Sequence, residues 1–329
     1  MRWRPRPGDP LPRTDLALEV SEFLRARERA EIPGLAVQER RLNSISVTRV
    51  EVQTPTAAVM AGKPMGQYVT IEAPELAEDD RRLHEEAGRV LAQELGRLLP
   101  PDPQAVTLVT GLGNWHATPD SLGPRVVGQL LITRHLRDYV PPELKGRLRP
   151  VCAVAPGVLG LTGIETGEIL RGIVERVRPQ AVIAIDALAA RTVARIMTSI
   201  QISDTGITPG SGVGNRRLGI NAETLGVPVI AIGVPTVVHA STIAGDVVEE
   251  LLEHFRGNLR FCDIIGQMDQ VDRKQLIQEA LGEGVGDLVV TPKEIDSMIR
   301  QVSRVLAGGL NLALHPGIDP HNLTRYLQG

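Results

Sequence analysis

Ala181 to Ile185 reads AVIAI, a run without one polar side chain, and it constrains the fold more than anything else in the chain. A strand that is apolar on both faces has to be covered on both faces, which is the situation inside a parallel sheet. Three further runs have the same character: Val106 to Thr110, Val151 to Val154 and Pro228 to Ile232. Helical stretches fill the gaps between the first three, and a glycine-rich loop precedes the last. This alternation predicts an α/β fold, a three-layer and mostly parallel sheet with helices on both faces.

The flanks add to that centre. Ser44 to Val52 and Gln67 to Ala73 alternate β-branched with polar residues, which predicts an extra antiparallel pair at the N-terminal side. Asp79 to Leu99 has apolar residues at helical spacing and stops before Pro100-Pro101, so an amphipathic helix is expected there, and Leu16 to Arg29 also reads as helical. After Gly245 the chain reads as a helical C-terminal extension, with Val247 to Phe255, Val271 to Leu281 and Pro292 to Leu306 as its helices. Met1 to Arg13 holds four prolines and four arginines, a density that denies both helix and sheet pairing. The expected division is an arm over 1–15 and a single α/β domain over 16–329.

Composition excludes several classes. With 329 residues, 42% of them hydrophobic, the chain can bury a sizeable core. Its 36 basic and 39 acidic residues give no basic field, and only 2% are aromatic, so binding to nucleic acid is not expected. The two cysteines, Cys152 and Cys262, form no CxxC and no Cys/His cluster, which points away from a disulfide framework or structural zinc and towards a reducing cytosol. The N-terminus lacks the apolar segment of a secretory signal, and no run of about 18 apolar residues occurs, so no membrane association is expected.

Two acids stand where such a fold places sites. Asp186 directly follows AVIAI and is expected at that strand's carboxyl end, the edge where ligands bind in open α/β sheets. The other reading makes it the N-cap of a helix over Ala187 to Ile196. Gly111-Leu112-Gly113-Asn114 follows another strand and leads through Asp120 into a helix over Pro124 to Leu136. A dinucleotide fingerprint would need glycine where His116 stands. The tight turn then presents Asp120 at the same edge as Asp186. Two carboxylates facing one cleft cannot both ionise cheaply, so one holds a proton while the other stays a base, a pair able to activate water for amide hydrolysis. Two helix caps that never meet are the alternative.

Asp204-Thr205-Gly206 is a DTG triplet of the kind found in all-β aspartic proteases, which need two such loops; an Asx-type turn shaping the next loop fits an α/β chain better. That loop, with Gly210, Ser211, Gly212, Gly214 and Asn215, reads either as a structural turn or, with Asn114 and Asp204 beside it, as a substrate and oxyanion loop.

GLGNWHATPDSLGP, IDALAAR and TSIQISDTGITPGSGVGN followed by GVPVIAIGVPTVV together resemble the germination proteases of spore-forming bacteria, and the resemblance spans nearly the whole chain. It implies an endopeptidase that begins the degradation of small acid-soluble spore proteins in the cytoplasm of the forespore or spore core. Asp120 and Asp186 fall on the positions of that family's two essential aspartates. The resemblance also implies a homotetramer, and a precursor that removes a short leader at a site mimicking its substrates. Thr14 to Glu19 is the counterpart of that site, with processing between Asp15 and Leu16, although Leu18 and Pro12 depart from the substrate pattern. A fold shared with hydrogenase maturation proteases is implied as well, in which metal-binding acids stand where Asp120 and Asp186 do. Two mechanisms therefore follow, a metal-free acid pair needing no cofactor, or a divalent metal with His239 as the third ligand. A metal-dependent maturation protease and a non-enzymatic cofactor-binding α/β protein are the remaining alternatives.

Overall fold

The four apolar runs become parallel neighbours. The computed structural model describes residues 33–139, 148–190, 192–208, 218–254, 284–286 and 288–317. The arm with Asp15 and Leu16, the helices read over Leu16 to Arg29 and Val271 to Leu281, and the loop residues Gly210, Ser211, Gly212, Gly214 and Asn215 lie outside the described residues.

Strands β1 (Leu35–Leu42), β2 (Ile45–Val52) and β3 (Gly66–Glu72) form an antiparallel meander, with helix α1 (Pro55–Ala61) between the last two. Then come α2 (Arg81–Leu98), β4 (Thr107–Gly111), α3 (Leu122–Val127), β5 (Val151–Val154), α4 (Leu159–Thr162), α5 (Thr166–Val177) and β6 (Ala181–Ala190). The chain continues through β7 (Ser199–Ser203), α6 (Ala222–Leu225), β8 (Val229–His239), α7 (Ala240–His254), the two-residue β9 (Val289–Val290) and α8 (Ile295–Leu314). The strands lie side by side in the order β1-β2-β3-β7-β8-β6-β4-β5, and β9 pairs with the end of β8. β8, β6, β4 and β5 are the parallel block, and β7, antiparallel to both β8 and β3, joins the meander to it. The expected α/β architecture is present, with a C-terminal helix and N-terminal strands.

Three strands go beyond the sequence reading, the two-residue β9 among them. β1 is a partner for the expected pair, turned onto β2 at Asn43, whose φ of 49° is left-handed and suits an asparagine. Its Glu39-Arg40-Arg41 centre is exposed, so it carries little of the alternation by which strands are recognised. β7 sits inside the stretch read as a glycine-rich approach to the last strand. The helix expected over Pro124 to Leu136 is shorter, ending at Val127, because Thr133 is fixed onto β5: its N–H donates to Val151 O and its Oγ1 accepts from Val151 N.

Alternation along the strands divides the core. Val109, Ile183, Ile185, Ile200, Ile202 and Ile232 face the layer of α2, α3 and α8. Leu108, Val182, Ala184 and Val229 face α5 and α6. On the first side Asp80 caps α2 by accepting from the N–H of Arg82 and Leu83, and Glu94, 2% exposed, holds Arg49 of β2 through two 2.7 Å hydrogen bonds. No helix among the described residues is long and apolar enough to cross a membrane.

His315 closes α8 and is fully buried. Its Nε2 lies 3.0 Å from Leu131 O, so Nε2 carries the proton and donates, and Nδ1 has no partner among the described residues. Burial, with some repulsion from Arg149, lowers its pKa from 6.5 to about 4. Between these values the unfolded chain binds a proton that the folded chain refuses. Stability therefore rises with pH across that window and is lost as pH falls through it, by up to about 3 kcal/mol. Urea unfolding from pH 7 to 4 is expected to show this slope, and His315→Gln to flatten it. Equal slopes in the two proteins would remove His315 as the cause.

Candidate active site

The chain leaves β4 towards β5 on one side and returns as β6 on the other, so the carboxyl edge between β4 and β6 is the switch point of the parallel block. Pairing between them ends at Gly111 and Ile185, and Asp186 is the next residue. β6 itself does not end there. β8 stays alongside and pairs with it through Ala190 and Val238, with a register shift at Leu188 and Ala189. The expected helix over Ala187 to Ile196 is therefore replaced by strand, tertiary pairing overriding the helix preference of Ala-Leu-Ala-Ala. Asp186 is not an N-cap. It is 6% exposed, and its Oδ1 accepts from the N–H of Ala187 at 2.9 Å.

Asp120 ends a one-turn 3-10 helix, Thr118–Asp120, that lies against β6, β8 and α8. It is not a cap either, since Ser121 holds that position for α3. Its Oδ2 accepts from Asn114 N at 2.7 Å, and Asn114 Oδ1 accepts from His116 N at 2.9 Å. Asn114 thus shapes the turn and fixes the acid through its backbone. Two glycines make the geometry possible. Gly113 has φ of 108°, and a Cβ there would lie 2.0 Å from Asp120 O and 2.9 Å from its Oδ1. A Cβ on Gly123 would lie 2.4 Å from Leu112 O and 2.7 Å from Ile185 O, so the start of α3 rests directly on the backbone that precedes Asp186. Thr118 Oγ1 completes the fixation by donating to Asp296 Oδ1 of α8 at 3.2 Å.

The other sequence candidates separate from these two. Asp204 reaches back to β3, where its Oδ1 accepts from Gln67 N at 2.8 Å, so it ties the residue after β7 to the start of β3. The DTG triplet stands in a mixed α/β sheet, not in an all-β domain. His239 is the last residue of β8. Asp186 pairs with Gly233, and six residues of strand from there to His239 cover roughly 20 Å. His239 is thereby too distant to join Asp186 on one ion. Among the described residues no group of three or more His, Cys, Asp or Glu side chains is arranged to hold a metal.

The sequence reading missed a cavity of about 330 Å³ on the Asp186 face of the sheet. Tyr68, Gln201 and Gly233 are among its lining residues, and burial raises the Tyr68 phenol above its usual pKa. The signal was the alternation in Ser-Ile-Gln-Ile-Ser, which sets Gln201 opposite two core isoleucines.

A family model described as germination protease matches residues 14–263 and 256–327. A germination protease of Caldanaerobacter subterraneus is 50% identical over 319 residues, covering 96% of this chain and 98% of its own. One from Clostridium perfringens is 46% identical with coverage of 96% and 98%, and one from Bacillus subtilis is 43% identical with coverage of 95% and 96%. Among solved structures, a NiFe hydrogenase maturation protease from Thermococcus kodakarensis aligns with a TM-score of 0.27 and 19% identity over 44% of this chain and 80% of its own.

Proposed function

Since this chain belongs to the germination protease family and is on that ground a peptidase, we propose that it opens the degradation of small acid-soluble spore proteins, with water activated by Asp120 and Asp186. The observation that carries this reading is the common edge of the two acids. Asp186 follows the last β4–β6 pair, and Asp120 is held by the Gly113-Asn114 turn that leaves β4. The ionised member takes a proton from water, the protonated member donates to the scissile carbonyl, and the amine leaves with a proton returned by the pair. No covalent intermediate is formed. Each step of this reading is assigned to the two acids alone.

Cleavage is taken to follow an acidic residue and to precede an apolar residue and Ala, and the amides around Gly210 to Asn215 to receive the oxyanion. The same specificity applied to the chain itself makes it a zymogen cut between Asp15 and Leu16. The working form is a homotetramer in the spore core.

The test is digestion of a small acid-soluble spore protein by the purified protein, with fragments identified by mass spectrometry before and after exhaustive chelation. One cut after an acid, insensitive to chelation, is expected. Cuts without regard to an acid would overturn the specificity, and activity lost to chelation but restored by one cation would overturn the metal-free mechanism. The mature chain is expected to begin at Leu16, and Asp15→Ala to block that processing while Asp15→Glu preserves it. N-terminal sequencing showing another start would remove the processing assignment.

A further inference from the structure

A straight row crosses four strands of the sheet: Thr70 pairs with Gln201, Gln201 with Gly233, and Gly233 with Asp186. Residues opposite one another share a face, so this row runs from Asp186 to Gly233, Gln201 and Thr70, and the last three line the cavity described above. Strands lie about 4.8 Å apart, which puts Gln201 roughly 10 Å from Asp186. Gly233 fills the strand between them without a side chain. Leu188, two residues past Asp186, leans into that space, and a Cβ on Gly233 would meet its Cδ1 at 2.4 Å. The trough therefore has an apolar wall beside the acid and a polar far end.

That far end is built for an acceptor. Gln201 is 8% exposed, and its Nε2 is buried with no hydrogen-bond partner among the described residues. A buried donor left without an acceptor is disfavoured, and such groups are few in folded proteins. Ile200 and Ile202, on either side of it, point into the core on the opposite face, so nothing in the packing requires an amide here. Lys63 lines the same cavity and supplies positive charge. The Tyr68 hydroxyl is committed to Pro64 O at 2.8 Å, and Asp204, held by Gln67 N, is not among the lining residues.

The geometry points to this trough as the subsite for the acidic side chain that precedes the scissile bond, with Gln201 Nε2 donating to its carboxylate, Lys63 balancing its charge and Leu188 packing on its methylenes. This rests on the proposed cleavage after an acid and adds the place and the group by which the acid is read. Gln201 is then a specificity-determining residue and takes no part in the proton transfers.

The experiment compares Thr-Xaa-Leu-Ala peptides, with Xaa as Glu, Gln or Ala, on wild type and on the Gln201→Met and Gln201→Glu variants, all checked for unchanged thermal midpoints. Wild type is expected to prefer Glu. Gln201→Met is expected to lose about 10- to 100-fold in kcat/KM on the Glu peptide and far less on the Ala peptide. Gln201→Glu is expected to place Gln above Glu. Unchanged preferences, or an equal fall on all three peptides, would overturn the subsite while leaving the cleavage reading intact. A wild type that cuts all three alike would overturn the cleavage reading. Should it cut none, calorimetric titration of the Glu peptide still decides the subsite: weaker binding to Gln201→Met supports it, and equal binding overturns it.

Discussion

Asp186→Asn is expected to lower kcat by roughly 1,000- to 100,000-fold while leaving the fold in place. Asparagine keeps the shape of the side chain and an oxygen that can accept from Ala187 N, so the 2.9 Å contact survives while the ionisable function goes. Asp120→Asn is expected to act alike, since its amide oxygen can still accept from Asn114 N. If one proton passes between the two acids, losing either removes the whole function, and the double variant is hardly worse than the worse single one. Turnover of a peptide with Glu before the cut measures this, alongside thermal unfolding of each variant. Substantial activity in either single variant would defeat the acid pair, and losses that multiply would show two independent roles.

Why these two acids were legible follows from what surrounds them. AVIAI, short and rich in Val and Ile, reads as a strand covered on both faces, and an acid at its end stands out against that background. Gly111-Leu112-Gly113-Asn114 likewise marks a turn, because glycines between an apolar strand and a helix suit a backbone that must approach others closely. What the residues did not announce is decided by partners distant in sequence. Ala187 to Ala190 has helical propensity and becomes strand only because β8 runs beside it. Gln201 gains its meaning from the register of β3, β7 and β8, and no local pattern contains that register. Asp204 reads as a local turn former, yet its partner Gln67 is far away in the chain. His239 ends a strand that runs past the site edge, so its place in sequence says little about its distance from Asp186. The family match removes the non-enzymatic alternative, which neither composition nor motif had done.

Gly113→Ala is expected to abolish most activity by moving Asp120 while neither acid is itself replaced. The new Cβ would fall 2.0 Å from Asp120 O and 2.9 Å from Asp120 Oδ1, and the first of these is a backbone atom that no rotamer change can clear. A φ of 108° adds strain for any residue with a side chain. The turn from Gly113 to Asp120 must therefore open, and the hydrogen bond from Asn114 N to the acid opens with it. A displacement of about 1 Å in a group that must meet substrate in one orientation is enough for roughly 100-fold in rate. The stability change is expected to be smaller in consequence, about 1–3 kcal/mol, because the affected turn is half-exposed while the core behind it is unchanged. Gly226→Ala is the control. Gly226 also has a positive φ, 71°, but nothing lies within 4 Å of a Cβ there, so it carries the backbone strain without the collision. It is expected to lose about 1 kcal/mol and to keep wild-type turnover. Measured at a temperature well below both unfolding midpoints, equal turnover in the two variants would show that Asp120 does not depend on the Gly113 turn for its position.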